Sequence, residues 1–157
     1  GVAAQEFFWD LPNNEQGRPV AGLSACNYKE AEAVASLVLH LTICGVPRES
    51  VSIITPYKGQ KSAIQKALQK NGVIKPPKKM DNGRLEFDDG MVVSTVDRYQ
   101  GDENDIVILS LVRTKPGNRF LALHNRFIVA TSRARIGFYI IGTVDAVTKS
   151  TSGNKGP

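Results

Sequence analysis

MVVSTVDRYQGDENDIVILSLVRT occupies residues 91–114, and NRFIVATSRARIG occupies residues 125–137. An apolar, β-rich run at Met91–Val93 gives way to a polar loop, Ser94–Asp105, and a second apolar run, Ile106–Val112, follows at once. The pattern predicts two strands flanking a loop. Further on, a helix-compatible segment carries Arg133 and Arg135 directly before a third apolar run, Phe138–Ile141. Loops at the ends of buried strands are where open α/β sheets hold their ligands, so the same stretch sets the fold class and marks where a site should lie.

Upstream, Glu6–Leu11 (EFFWDL) is an aromatic run fit for a strand, ended by Pro12 and a polar loop. Asn27 as N-cap with Glu30 at N3 forms a capping-box pattern. The apolar period of Ala31, Val34, Ala35, Val38, Leu39 and Leu41 then predicts a packing helix that Gly45 and Pro47 stop. Val51–Thr55 (VSIIT) reads as a short strand leading through PYKGQ into a second helix, Lys58–Lys70. Ala63, Ile64, Ala67 and Leu68 line one side of that helix, and Lys58, Lys66 and Lys70 line another. Asn71–Asp89, punctuated by Gly, Pro-Pro and Asn-Gly, is expected to be a long exposed loop. Strands apolar on both parities suit a mostly parallel sheet buried on both faces, which with intervening helices gives an α/β doubly wound class. Lys149–Pro157 has nothing to bury and is expected to be a disordered tail, leaving residues 1–148 as one domain.

The chain of 157 residues carries 41% hydrophobic and 22% charged residues, the balance of a globular protein with a sizeable core. No apolar run approaches the roughly 20 residues a membrane span needs. Only Cys26 and Cys44 occur, with only His40 and His124 besides, which argues against a metal centre and for two reduced, structural thiols of an intracellular protein, nuclear or cytoplasmic. The net charge of +5 is local: Lys58–Arg84 alone carries +7, and the rest of the chain sums to −2. A concentrated basic patch is the footprint of a phosphate-backbone binder, with a solvated helix face as the bland alternative.

No GxxxxGK[ST] occurs, so the chain cannot cradle a nucleoside triphosphate in its own P-loop, and no apolar run ends in Asp-Glu to hold magnesium. The residues instead suit a site completed by another domain. Arg133 beside a strand has the chemistry of an arginine finger, or of a surface ion pair. Gln100, Gly101 and Glu103 form a loop where glycine permits close backbone approach and a carboxylate can accept ribose hydroxyls or position water, or else a solvated turn. Thr55, Tyr57, Thr95 and Asp97 end two strands, in position for polar contacts to a nucleic-acid backbone.

Three segments in order, ITPYKGQ (54–60), STVDRYQGDENDIVILSLVR (94–113) and NRFIVATSRARIGFYIIG (125–142), resemble successive motifs of the second, C-terminal RecA-like domain of superfamily 1 helicases of the up-frameshift-like branch. The DRYQGDEND wording and the Asn-Arg start of the last motif look closest to helicases of the NFX-type zinc-finger proteins. The resemblance implies a RecA-like, P-loop-NTPase-type three-layer domain without its own Walker A motif. It implies the motor of an ATP-dependent RNA helicase in RNA silencing or surveillance, with ATP and Mg2+ held mainly by a first RecA-like domain and single-stranded RNA as partner. By similarity Arg133 is the arginine finger, Gln100, Gly101 and Glu103 lie near the nucleotide, and Thr55, Pro56, Tyr57, Thr95, Val96 and Asp97 touch the strand. Arg135 braces the loop, and Gln60 and Arg113 are supporting residues. A DNA helicase of the same superfamily and a non-motor RNA-binding or protein-docking scaffold are the alternatives. The chain departs from the family at Ile128, where an Asn is frequent, and mildly at Ser132, where Thr is more frequent. The Gln-Tyr-Arg-Met motif that opens this domain in the family does not occur, which leads us to expect a piece of a longer protein, inactive as an ATPase by itself.

Overall fold

The structure is a computed structural model that describes residues 5–12, 24–76, 78–79, 85–86, 90–99, 102–114 and 131–145. Five strands form one parallel sheet: β1 (Glu6–Asp10), β2 (Val51–Thr55), β5 (Val92–Thr95), β6 (Asn104–Ser110) and β7 (Ala134–Gly142), in spatial order β1-β7-β6-β2-β5. Two helices, α1 (Tyr28–Ile43) and α2 (Lys58–Lys70), cover one face, and a two-residue antiparallel pair, β3 (Lys78–Lys79) with β4 (Leu85–Glu86), stands apart.

The apolar strands alternate between two cores. Ile53, Ile106, Ile108, Tyr139 and Ile141 face Val34, Val38, Ile64 and Leu68 of the helices, while Ile54, Val107, Leu109 and Phe138 face the other way, onto Val96, Tyr99 and Leu111. Ile53, Ile54, Ile108 and Leu109 have no exposed surface at all. Apolar residues on both parities therefore bury both faces of a central parallel strand, as the α/β class requires.

Local signals explain the helix ends. Asn27 caps α1, its Oδ1 accepting from the Glu30 N–H at 3.2 Å. At the other end Val46 N–H bonds to Leu41 O and Gly45 N–H to Thr42 O, with Gly45 at φ +90°, the Schellman arrangement. On α2, Ala63, Ile64, Ala67 and Leu68 are buried as the period predicts, and so is Gln60.

Four expectations are corrected. The strand expected over Ile106–Val112 ends at Ser110, because Val112 turns to φ 73°. Arg133 and Arg135 are not helical: Arg133 lies in a turn and Arg135 is already in β7, because pairing with β6 starts as early as Asn104↔Ala134. The expected loop Asn71–Asp89 is not wholly exposed. Val73 and Ile74 are buried against the end of α2, with Val73 N–H bonded to Leu68 O at 2.9 Å, and the segment also holds β3 and β4. Of the two thiols expected to be structural, neither in a disulfide, Cys26 is buried but Cys44 is exposed, so only Cys26 is a core residue. Residues 146–157, with the expected tail, and Ile128 lie outside the described residues.

Candidate functional site

The connections leaving β2 and β6 diverge. After β2 the chain passes through α2 to β5 on one side, and after β6 it goes on to β7 on the other, although β2 and β6 are neighbours. This is a topological switch point, and ligands of open α/β sheets bind in the crevice beyond the carboxyl ends of such strands.

Most of the strand-contact residues expected from sequence gather at that carboxyl edge. Thr55 and Thr95 are register partners at the ends of β2 and β5. Thr55 is fully buried, its Oγ1 without a hydrogen-bond partner among the described residues. Pro56 and Tyr57 are half-buried, and Asp97 is exposed in the turn Val96–Arg98. Val96 differs: its side chain is buried in the second core against Ile54 and Val107, which leaves only its backbone for a ligand.

The residues expected at the nucleotide lie elsewhere. Glu103 and Arg135 stand at the amino ends of β6 and β7, and Arg133 directly precedes β7, its carbonyl accepting from Asn104 N–H at 3.0 Å. The seven residues of β6 separate this edge from the other by about 23 Å. Arg135 grips the Glu103 carboxylate through Nη2 at 2.8 Å and Nε at 3.1 Å, and approaches Asp105 at 3.6 Å. Arg135 thus braces the loop as expected, and Glu103 is held by an arginine as well as being open to solvent. Arg133 Nε is buried with no hydrogen-bond partner among the described residues, a costly state for a guanidinium donor. Gln100 and Gly101 lie outside the described residues. Tyr99, the residue directly after the turn Val96–Arg98, is buried in the second core, and burial pushes its phenol up from the ordinary range.

A buried polar cluster at the carboxyl edge escaped the sequence reading. Glu30 does not reach back to the Asn27 N–H as a capping box would. That N–H donates to Gln60 Oε1 at 2.7 Å, and Gln60 Nε2 returns to Asn27 O at 3.1 Å and to Ser110 Oγ at 3.0 Å. Glu30, fully buried, accepts from Ser110 Oγ at 2.7 Å, Val112 N–H at 2.8 Å and Asn27 Nδ2 at 3.2 Å. Asn27 Nδ2 also approaches the Val112 carbonyl at 3.3 Å. Donors converge on both carboxylate oxygens, which suits the ionised, acceptor-only form. The signal was there to be read: Glu30 lies on the same helical stripe as the buried Val34, Val38 and Leu41. A carboxylate on a core stripe requires partners inside.

No group of three or more His, Cys, Asp or Glu among the described residues could hold a metal ion. No helix is long and apolar enough to cross a membrane among the described residues.

The chain matches the family model described as an AAA domain over residues 3–145. It is 38% identical over 122 residues to the RNA helicase aquarius of Mus musculus, covering 75% of this chain and 7% of that protein. It is 34% identical over 145 residues to a regulator of nonsense transcripts 1 homolog of Neurospora crassa, covering 91% and 12%. Against the NFX1-type zinc finger-containing protein 1 of Mus musculus, identity is 34% over 151 residues, covering 95% and 7%. Among solved structures, the C-terminal domain of a possible DNA helicase from Lactobacillus plantarum superposes with a TM-score of 0.51 at 17% identity, covering 77% of this chain and 73% of that one. This likeness reports the fold. The chain spans only about a tenth of the curated relatives' length.

Proposed function

The chain belongs to this AAA-domain family, as a C-terminal RecA-like domain of superfamily 1 helicase type, and on that premise we propose that it is the second motor domain of an ATP-dependent RNA helicase. Residues 1–148 are its extent, and a first RecA-like domain carrying the P-loop is its partner. The observation that carries the reading is Arg133. Its buried Nε lacks a partner among the described residues, at a sheet edge beside Glu103. An orphan guanidinium donor fits an anionic group supplied across a domain interface, and a nucleoside triphosphate is such a group.

ATP, when bound, supplies free energy through hydrolysis of its terminal phosphoryl group. The chain's own part is to bring Arg133 to the developing phosphoryl charge, with Gln100, Gly101 and Glu103 contacting nucleotide or its water, and to close only when that charge is present. Thr55, Pro56, Tyr57, Thr95, Val96 and Asp97, on the other edge, are the strand contacts that such closure shifts, giving a step along single-stranded RNA. RNA as substrate is supported by the relatives named as an RNA helicase and a regulator of nonsense transcripts, and a role in RNA silencing or surveillance follows the same line.

The test is ATP turnover of the protein joining both motor domains, with and without single-stranded RNA or DNA, beside its Arg133→Ala variant. RNA-stimulated turnover that falls by about 3 kcal/mol of transition-state stabilisation or more in the variant is the expected result. Stimulation by DNA alone moves the assignment to a DNA helicase. Equal rates in wild type and variant, or no stimulation by any strand, overturn the motor reading in favour of a scaffold.

A further inference from the structure

The turn that follows β6 is held in a conformation that valine resists. Val112 has φ 73°, and Arg113 N–H bonds back to the Leu111 carbonyl at 2.9 Å, which makes Val112 the centre of a γ-turn of the rare, strained kind. A β-branched residue at positive φ is a genuine outlier. Such strain persists only where the surroundings over-determine it, and it clusters at ligand sites. Here the surroundings are the start of α1. Glu30 takes the Val112 N–H, Asn27 approaches the Val112 carbonyl, and Gln60 and Ser110 lock both residues from α2 and β6.

The consequence of the turn is the setting of Arg113. Its guanidinium carbon lies 5.4 Å from the centroid of the Tyr57 ring, and its Nε approaches the Tyr57 hydroxyl at 3.4 Å. Both side chains are half-buried at the carboxyl ends of β6 and β2, the two strands that define the switch-point crevice. A guanidinium held over a ring and against its hydroxyl has fewer orientations open to its planar fork, the form in which arginine grips phosphate. The edge also decides which phosphate. Thr55 and Thr95 stand on it, whereas Arg133 and Glu103 lie at the opposite ends of the strands.

We propose that Arg113, backed by Tyr57, grips a backbone phosphate of a single strand at the β2–β6 crevice, and that Glu30 and Asn27 are positioning residues that aim it by holding Val112 in its strained turn. The inference deepens the strand-binding reading above and rests on it. Neither Glu30 nor Asn27 touches the ligand. They act through the turn.

The experiment uses the protein joining both motor domains and a fluorescein-labelled uridine dodecamer, with dissociation constants taken from anisotropy over a series of salt concentrations. Arg113→Ala weakens binding about tenfold or more and lowers the salt slope by about 0.7, the share of one single-strand phosphate. Arg113→Lys recovers part of the loss, since it restores charge without the planar fork. Glu30→Gln keeps the volume but turns one accepting oxygen into a donor. It weakens binding about threefold or more by itself and adds less than about twofold on top of Arg113→Ala, because residues acting through one another are not additive. Should Glu30→Gln fail to fold, Asn27→Asp, which keeps the cap acceptor and loses the donor to Val112, carries the same expectation. Wild-type affinity and salt slope in Arg113→Ala overturn the proposal, as does a Glu30→Gln loss that adds in full. A wild-type protein that binds neither the uridine strand nor its DNA counterpart removes the strand-binding reading itself, and this inference with it.

Discussion

Single residues carry constraints that differ even where the amino acid is the same. Gly59 and Gly45 are both required, for unrelated reasons. A Cβ on Gly59 would stand 2.2 Å from Ser24 O and 3.0 Å from Ala25 O, backbone atoms that cannot swing away. Gly59→Ala should therefore push α2 off the segment that leads into α1, at a cost of about 1–3 kcal/mol, seen as a lower urea midpoint with an unchanged slope. At Gly45 nothing lies within 4 Å, and only φ +90° matters. Gly45→Ala should cost about 1 kcal/mol, with Gly45→Asn milder because Asn tolerates the left-handed region. A Gly45→Ala loss as large as that of Gly59→Ala would refute the distinction. Val112 is the inverse case. Valine stands where glycine would be relaxed, at a strain of about 1–3 kcal/mol that the Glu30 and Asn27 hydrogen bonds offset.

Between elements, the first turns of α1 hold both ends of α2 by different chemistry. The buried end uses Asn27, Glu30 and Gln60, while the solvent end uses Glu32, which accepts from Lys70 Nζ at 2.8 Å and Asn71 Nδ2 at 3.0 Å. The hydrogen bond from Lys70, then that from Asn71, holds the Glu32 carboxyl below the usual carboxylate range. A folded-state value below the unfolded one gives stability that is present above the ordinary glutamate range and is lost as pH falls through that range and below. The pair is open to solvent, with side chains 74% and 44% exposed, so Glu32→Gln should cost no more than about 0.5 kcal/mol at neutral pH, with the gap to wild type closing in acid and in high salt. Glu30→Ala should cost more, about 2–4 kcal/mol, since it strands the Val112 N–H and the Ser110 hydroxyl in the interior. Thermal melts of the two variants at neutral pH rank them, and equal melting shifts would contradict this contrast between a buried and an exposed carboxylate.

Across the whole molecule, the sheet separates two groups of residues by the length of β6. Variants at the two edges should fail in different ways. Arg133→Ala should lower strand-saturated turnover, whereas Arg113→Ala should chiefly raise the strand concentration needed for half-maximal turnover, the split between losing transition-state contact and losing uniform binding. Steady-state ATPase titrations with RNA check this, and the same signature from both variants would mean that the edges do not divide the work. A short apolar run on both parities and a period-3.6 pattern determined that Val51–Thr55 is a buried strand, that Lys58–Lys70 is a helix with one basic face, and that the class is parallel α/β. Those are properties of how a local segment divides its apolar surface, which the order of side chains states directly. The three motifs in order also sufficed for the family. Tertiary structure decided what depends on partners distant in the chain. It ended β6 at Ser110 and started β7 at Ala134, since strand limits follow pairing; it turned the capping glutamate inward to residues 80 and 82 positions away; and it set Arg113 on Tyr57 across 56 residues. No local period encodes such contacts, because each becomes favourable only once packing has removed water from both of its sides.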